Sequence, residues 1–269
     1  MGSELVRTGR VIGLTRGELD VTDSAEFQRA IEHYHPTAVI NAAAQAGVDQ
    51  AERDPSGTMR VNSDAPGMMA RVSAQWGIRF LHLSTDYVLD SPHSRRLAED
   101  EEPNPQSTYA QSKLIGEQGV LSSGGTVVRL QWVYQPGDRG FFNRALAMMR
   151  TGQTVRLVTD QVGCPTPAEM VASALLTMAA TGPCGLYHLA TQGEATAFEW
   201  IAAGAEAMGI DFLGVAAQRA DFDGAHRPAR SVLDSSKVAS TWGIKLPEWR
   251  NALQTVVRGS DRIGTGTDQ

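Results

Sequence analysis

An α/β fold, in which helices are wound on both sides of a parallel sheet and a smaller C-terminal substrate lobe is attached, is what this 269-residue sequence predicts. Three observations carry it. Short β-rich apolar runs alternate with helical stretches along most of the chain, the pattern of a doubly wound parallel sheet. The length exceeds one average domain and suits a main domain with a smaller partner. The apolar run Arg79–Ser84 gives way to Thr85-Asp86-Tyr87, which places polar groups at the carboxyl end of a strand, where ligands bind in open parallel sheets.

The elements follow in order. Arg10–Thr15 reads as a strand from its Val-Ile-x-Leu core. Asp23 ahead of Ala25-Glu26 starts a helix over Ser24–His33, and Pro36 ends it. Ala38–Asn41 is a short strand closed by Ala42, Ala43 and Ala44, small enough for a flat ligand to approach the backbone. A helix over Ser56–Gln75 leads to the strand Arg79–Ser84. Leu89–Thr108 is a long proline-bearing loop over the site, of a length that suggests a functional flap. Then come a helix over Tyr109–Leu121, a strand over Thr126–Gln131, helices over Phe141–Thr151 and Pro167–Ala180, a strand over Leu186–Leu189, and helices over Ala197–Met208 and Pro247–Val257. The Gly/Thr-rich end, Gly259–Gln269, reads as a flexible tail.

Tyr109 and Lys113 carry the chemistry. Residues four apart on a helix share a face, so an ammonium would lie beside a phenol. Bringing a phenol from a pKa near ~10 to ~7 takes roughly 4 kcal/mol, about what a unit charge ~4 Å away supplies at an effective dielectric near 20. Tyrosine then serves as a general acid, and the Thr85 hydroxyl could hold a carbonyl beside it. A Tyr-x-x-x-Lys spacing by itself is most often an exposed helix pair; the preceding strand and Thr85-Asp86 give this one its weight.

Composition narrows the function classes. A net charge of −6 argues against a nucleic-acid or membrane-surface role, which calls for a basic patch. Two cysteines, Cys164 and Cys184, make no disulfide framework and point to a reducing compartment. No apolar run nears 18 residues and no signal-like segment opens the chain, so the expectation is a cytoplasmic protein without membrane partners. The six histidines form no i,i+4 helical pair, and no protein metal site is predicted.

Taken in order, these residues resemble the extended short-chain dehydrogenases/reductases, and among them the dTDP-4-dehydrorhamnose reductases. The likeness runs through Glu18–Asp23, Asn41–Ala44, Val48–Glu52, Ser84–Val88, Tyr109–Lys113, Trp132–Tyr134, Asp160–Thr166, Gly185–Leu189, Arg227-Pro228 and Ser231–Asp234. The resemblance implies a Rossmann-like nucleotide-binding part, residues 1–134 and 165–208, and a sugar-binding lobe, residues 135–164 and 209–258. It implies NADPH-dependent reduction of a nucleotide-linked 4-keto-6-deoxy sugar, with Thr85 orienting the carbonyl, Tyr109 protonating it, and Lys113 lowering the phenol's pKa and holding the nicotinamide ribose. Asp86, Tyr87, Trp132 and Arg227 would meet the substrate, Arg227 through its fork on the diphosphate. Magnesium between subunits, and a homodimer, belong to the same implication.

Cofactor contacts are expected at Gly2, Arg16, Asp20, Val21, Ala42, Ala43 and Lys113. Arg16 stands where an NAD-preferring protein carries an acid, which suggests the 2′-phosphate of NADPH over NADH; a surface arginine is the competing account. For Asp20-Val21 the competing account is a helix-capping turn, and for Tyr87 and Trp132 it is core packing. The chain departs from the family at its start: the first strand and most of the glycine loop are absent, and Gly2 matches the last loop glycine. Poor NADPH binding and marginal stability are therefore expected of the chain as written. That start favours a rival reading, a non-catalytic binding protein like the methionine adenosyltransferase regulatory subunit; the Thr85-Tyr109-Lys113 set favours the enzyme.

Overall fold

The computed structural model describes residues 1–91, 93–135, 137 and 140–264. Strands β1 (Ala38–Asn41), β2 (Arg79–Thr85) and β3 (Thr126–Leu130) and a fourth, Gly185–Leu189, form a parallel sheet in that order. Its register sets Ser84 beside Arg129 and Arg129 beside His188, with Thr85 opposite Leu130 one step nearer the carboxyl edge.

Side-chain alternation builds two different faces. Leu81, Leu83, Val128, Leu130, Tyr187 and Leu189 bury against the helix Ala168–Ala180, together with Leu5 and Val238. On the other face Phe80 and Val127 pack on Phe27, Ile31, Met69, Val72 and Val120. Each such fully buried aliphatic or aromatic side chain contributes roughly 1.5–3 kcal/mol. Toward the carboxyl ends that second face turns polar, through His82, Ser84, Arg129 and His188, all buried.

The helix bearing Tyr109 runs over Thr108–Ser122. Its amino end is held by Glu52, whose carboxylate accepts from the Thr108 amide (2.8 Å) and hydroxyl (2.6 Å). It lies unusually close to the helical stretch below it. A Cβ on Gly116 would stand 2.2 Å from the Asn62 carbonyl oxygen, so only glycine fits. Asn62 sits in a π-helical turn, Arg60–Asp64, between the helices Pro55–Met59 and Ala65–Gln75. Its side chain bonds Gln45 after β1 and the Ser112 hydroxyl, tying the Ala42–Gln45 turn to the Tyr109 helix.

The helix Ser24–Tyr34 starts as expected, with Asp23 accepting from the Ala25 and Glu26 amides. Arg10–Thr15, by contrast, forms no strand: β1 pairs with β2 alone, and an apolar run without a hydrogen-bonding neighbour has no ladder to join. Leu89–Thr108 is not a free flap. Leu97 is buried, donates to Val232 and accepts from Asp234, while Arg96 reaches the Leu233 and Gly193 carbonyls and Glu99 accepts from the His188 amide.

A second lobe packs the helices Phe141–Arg150, Ala197–Ala207 and Trp249–Gly264 with a parallel pair, Val155–Val158 and Gly214–Ala217, around Phe142, Leu146, Leu157, Trp200, Ile201 and Leu253. The expected division is therefore redrawn. The helix 197–207, grouped by sequence with the nucleotide-binding part, belongs to this lobe's core, whereas Ser236–Trp242 packs against the sheet through Val238. The last helix reaches Gly264, so the expected tail begins inside it; residues 265–269 lie outside the described residues.

Candidate active site

Thr85, Asp86, Tyr87 and Tyr109 meet at the carboxyl end of β2. The Tyr109 hydroxyl lies beside Thr85, and its ring meets Tyr87 edge to face with centroids 6.0 Å apart. Thr85 Oγ1 accepts from the Tyr87 amide (3.2 Å) and donates to Asp86 Oδ1 (3.3 Å). A hydroxyl has one proton and two lone pairs, so with its proton on Asp86 and the Tyr87 amide on one lone pair, Thr85 has one lone pair left to face the Tyr109 phenol. Burial raises the phenol's pKa well above its ordinary value, with the Asp86 charge adding to the effect, and burial holds Tyr87 up at about 12.

Lys113 is placed otherwise than its spacing implied. It is buried, with Nζ 2.6 Å from the Leu83 carbonyl and 2.9 Å from His82 Nε2. The Ala43 amide donates to Asn41 Oδ1, which turns the Asn41 amide group toward His82 Nδ1 at 3.1 Å. A neutral imidazole has one proton to divide between these two contacts. Burial lowers Lys113 to about 8 and pushes His82 well below its usual range, so at neutral pH the imidazole is uncharged while the amine still largely keeps its proton. In this arrangement the phenol is shifted upward by burial, and the amine is engaged by His82 and Leu83.

The substrate-side candidates separate. Asp86 is 2% exposed and committed to Gln131 and Ser231, so it presents no free carboxylate to a sugar. Trp132 has a left-handed backbone (φ 40) and stacks on Trp200, centroids 5.7 Å apart; a Cβ on Gly163 would collide with its indole at 2.6 Å. Arg227 pairs with Asp49 at 2.8 Å, beside an open cleft of about 510 Å³ lined by Asp49, Glu52, Arg53, Gln106 and Gly224 to His226. Hydrogen bonds from Arg227 and Ala225 hold the Asp49 carboxyl below its usual range.

On the cofactor side, Ala42 and Ala43 follow β1 and are half-buried, Val21 packs against the Phe27 cluster, and Gly2 opens the six-residue helix Gly2–Arg7. Arg16 is exposed. Asp20 accepts from the Thr22 amide and hydroxyl, a turn just ahead of the Asp23 cap. Cys164 is buried, and burial lifts its thiol to about 11, in keeping with a wall residue. His82, which sequence reading takes as a satisfied core residue, and Ser231, which lies in a segment of the resemblance, hold the others in place together with Asn62 and Gln131, which it did not single out. Only His82 carried a signal, as a polar residue within an apolar strand.

Comparison with known proteins adds to this geometry. The family model described as RmlD substrate binding domain matches residues 1–261. A dTDP-4-dehydrorhamnose reductase of Burkholderia thailandensis is 32% identical over 96% of this chain and 95% of its own length, and one of Mycobacterium tuberculosis is 36% identical over 95% and 87%. Among solved structures, a dTDP-4-dehydrorhamnose reductase of Clostridium acetobutylicum superposes with a TM-score of 0.90 at 26% identity, covering 97% of this chain and 95% of that one. One from Bacillus anthracis, solved in complex with NADP, has a TM-score of 0.89 at 23% identity, over 93% and 90%, and speaks for the fold alone.

Proposed function

Because this chain belongs to the RmlD substrate-binding-domain family, that of its dTDP-4-dehydrorhamnose reductase relatives, we propose that it is an NADPH-dependent reductase of a dTDP-linked 4-keto-6-deoxy sugar. The observation that carries the reading is the half-buried phenol of Tyr109 set beside Thr85 at the carboxyl end of β2. The relatives' names favour this over a regulatory subunit. Reduction in deoxysugar or cell-surface polysaccharide synthesis follows as the biological setting, and no described helix is long and apolar enough to cross a membrane.

Residues at the site fit a dinucleotide in part. The half-buried Ala42-Ala43 turn and Thr85 leave small side chains at the strand ends, where a nicotinamide could lie flat. When bound, NADPH would supply the hydride. Tyr109 supplies the proton: its raised pKa keeps the phenol loaded across the neutral range. Thr85 holds that phenol in line, and an incoming carbonyl oxygen would take its place as acceptor. Lys113 would have to leave His82 to meet a ribose. Arg16, free on the surface, would grip a 2′-phosphate, and Tyr87, Trp132 and Arg227 would border the sugar nucleotide. Magnesium and a second subunit rest on the resemblance alone.

Incubating the chain with dTDP-4-dehydrorhamnose and NADPH tests the reading. Consumption of NADPH with formation of dTDP-rhamnose is expected; NADPH left unconsumed across the dTDP-4-keto sugars would overturn it.

A further inference from the structure

Behind Thr85 and Tyr109 lies a buried carboxylate that the reaction above leaves unused. Asp86 Oδ2 accepts from Ser231 Oγ at 2.5 Å and from Gln131 Nε2 at 3.0 Å, and Oδ1 accepts from Thr85. No salt bridge neutralises it among the described residues. Gln131 also donates to the Ser231 carbonyl (2.7 Å), and its Oε1 accepts from the Cys164 amide (3.0 Å). Three segments distant in sequence thus converge on one carboxylate, the end of β2, the residue after β3 and the Ser231 segment, which also bridges to Leu97, while the Cys164 turn holds Gln131. A lone buried anion is unfavourable unless its hydrogen bonds are complete, and here they are supplied by segments far apart in the chain.

Ionised Asp86 also fixes direction. It can only accept, so it claims the single Thr85 proton and leaves the Thr85 lone pair for Tyr109. We propose that Asp86, Gln131 and Ser231 form a positioning hub that orients the Thr85 hydroxyl, and through it the Tyr109 proton donor, according to the seating of the 230–233 segment. The sugar is not its ligand. This rests on the reductase reading for its kinetics and deepens it. Burial raises the Asp86 pKa to about 6, while the phenols of Tyr109 and Tyr87 and the thiol of Cys164, which face it, are all pushed upward and stay neutral there. Protonation of Asp86 frees the Thr85 hydroxyl to turn.

Asp86→Asn, Ser231→Ala and Ser231→Thr in the full chain, assayed with dTDP-4-dehydrorhamnose and NADPH, test the hub. Expected are a fall in kcat of at least about tenfold for Asp86→Asn with KM held within about threefold, a smaller fall for Ser231→Ala, and recovery by Ser231→Thr, which keeps the hydroxyl. An acid limb of kcat near pH 6 should be present in the wild type and absent from Asp86→Asn. A raised KM with unchanged kcat would make Asp86 a sugar contact and overturn the hub; a lowered melting temperature with unchanged kcat and pH profile would reduce it to packing. Hydrogen exchange gives a readout independent of turnover. The Cys164 and Tyr87 amides should exchange at least about tenfold faster in Asp86→Asn and Ser231→Ala. If the wild type turns over no keto sugar, the reductase reading fails while this measurement still decides the hub, and unaltered exchange at both amides overturns it.

Discussion

Two buried polar clusters lie one residue apart along the sheet, and they are built to opposite rules. In the inner one, Ser84, Arg129 and His188 form a row across three strands, closed from the helix above by Glu117, which grips Arg129 at 2.7 Å and accepts from Ser84. Every charge there has its opposite. In the outer one, Thr85, Asp86, Gln131 and Ser231 gather around a single anion whose partners are all neutral. The first is a closed lock on the fold; the second stays responsive because its charge is balanced by hydrogen bonds alone. A buried ion pair is strongly missed only when one partner is removed, whereas a lone carboxylate answers to pH and to the placement of its donors.

The largest expected effect sits beside the outer cluster. Tyr109→Phe removes only the phenolic proton, and general-acid steps contribute about 10²–10⁴ in rate. Turnover of the keto sugar should fall by that factor, with NADPH binding, followed by calorimetry, within a few-fold of the wild type. A mutant that turns over normally would remove Tyr109 from the chemistry.

The inner cluster should fail differently. Glu117→Gln leaves the Arg129 guanidinium buried without its counter-charge, which costs about 3–5 kcal/mol, read by urea unfolding. Activity per folded molecule should hold. If stability is kept and kcat falls instead, the two clusters are not the distinct devices described above.

Smaller again is the contribution of Arg16, outside both clusters. Loss of a charge-assisted bond of about 1.5–3 kcal/mol would weaken NADPH in Arg16→Ala by roughly tenfold or more while sparing NADH. Equal losses for the two cofactors would return Arg16 to the surface role that competed for it.

How far the sequence foretold these clusters depends on distance along the chain. The strand Arg79–Thr85, the helix behind Tyr109 and the Asp23 cap were legible, because apolar runs and capping residues act locally. Arg10–Thr15 has the residues of a strand but no neighbour, and pairing is not encoded in the run itself. The Tyr109–Lys113 spacing fixes which face the two Cα atoms share, yet the amine's partner, His82, lies 31 residues back on another element. Asp86 was legible as a site residue, but Gln131 and Ser231, 45 and 145 residues away, carry no local mark of what they hold.

The two clusters should also answer acid with opposite signs, which is the subtlest way to tell them apart. Burial, reinforced by Arg129, lowers His188 from 6.5 to about 3, so as pH falls below 6.5 the unfolded chain takes up a proton that the folded chain refuses, and stability is lost through that window. Asp86 runs the other way: its folded pKa is about 6 against 3.8 unfolded, so between about 6 and 3.8 the folded chain binds the proton first and gains stability as pH falls. Each group can alter the slope of stability with pH by at most about 1.4 kcal/mol per pH unit. His188→Gln should therefore flatten the acid loss, and Asp86→Asn should steepen it, in unfolding free energies measured across that range. His82, also held low by burial, keeps some acid loss in both variants. Parallel curves for the two variants would mean that neither group changes its proton affinity on folding, and the contrast between a closed and a responsive cluster would then lose its electrostatic basis.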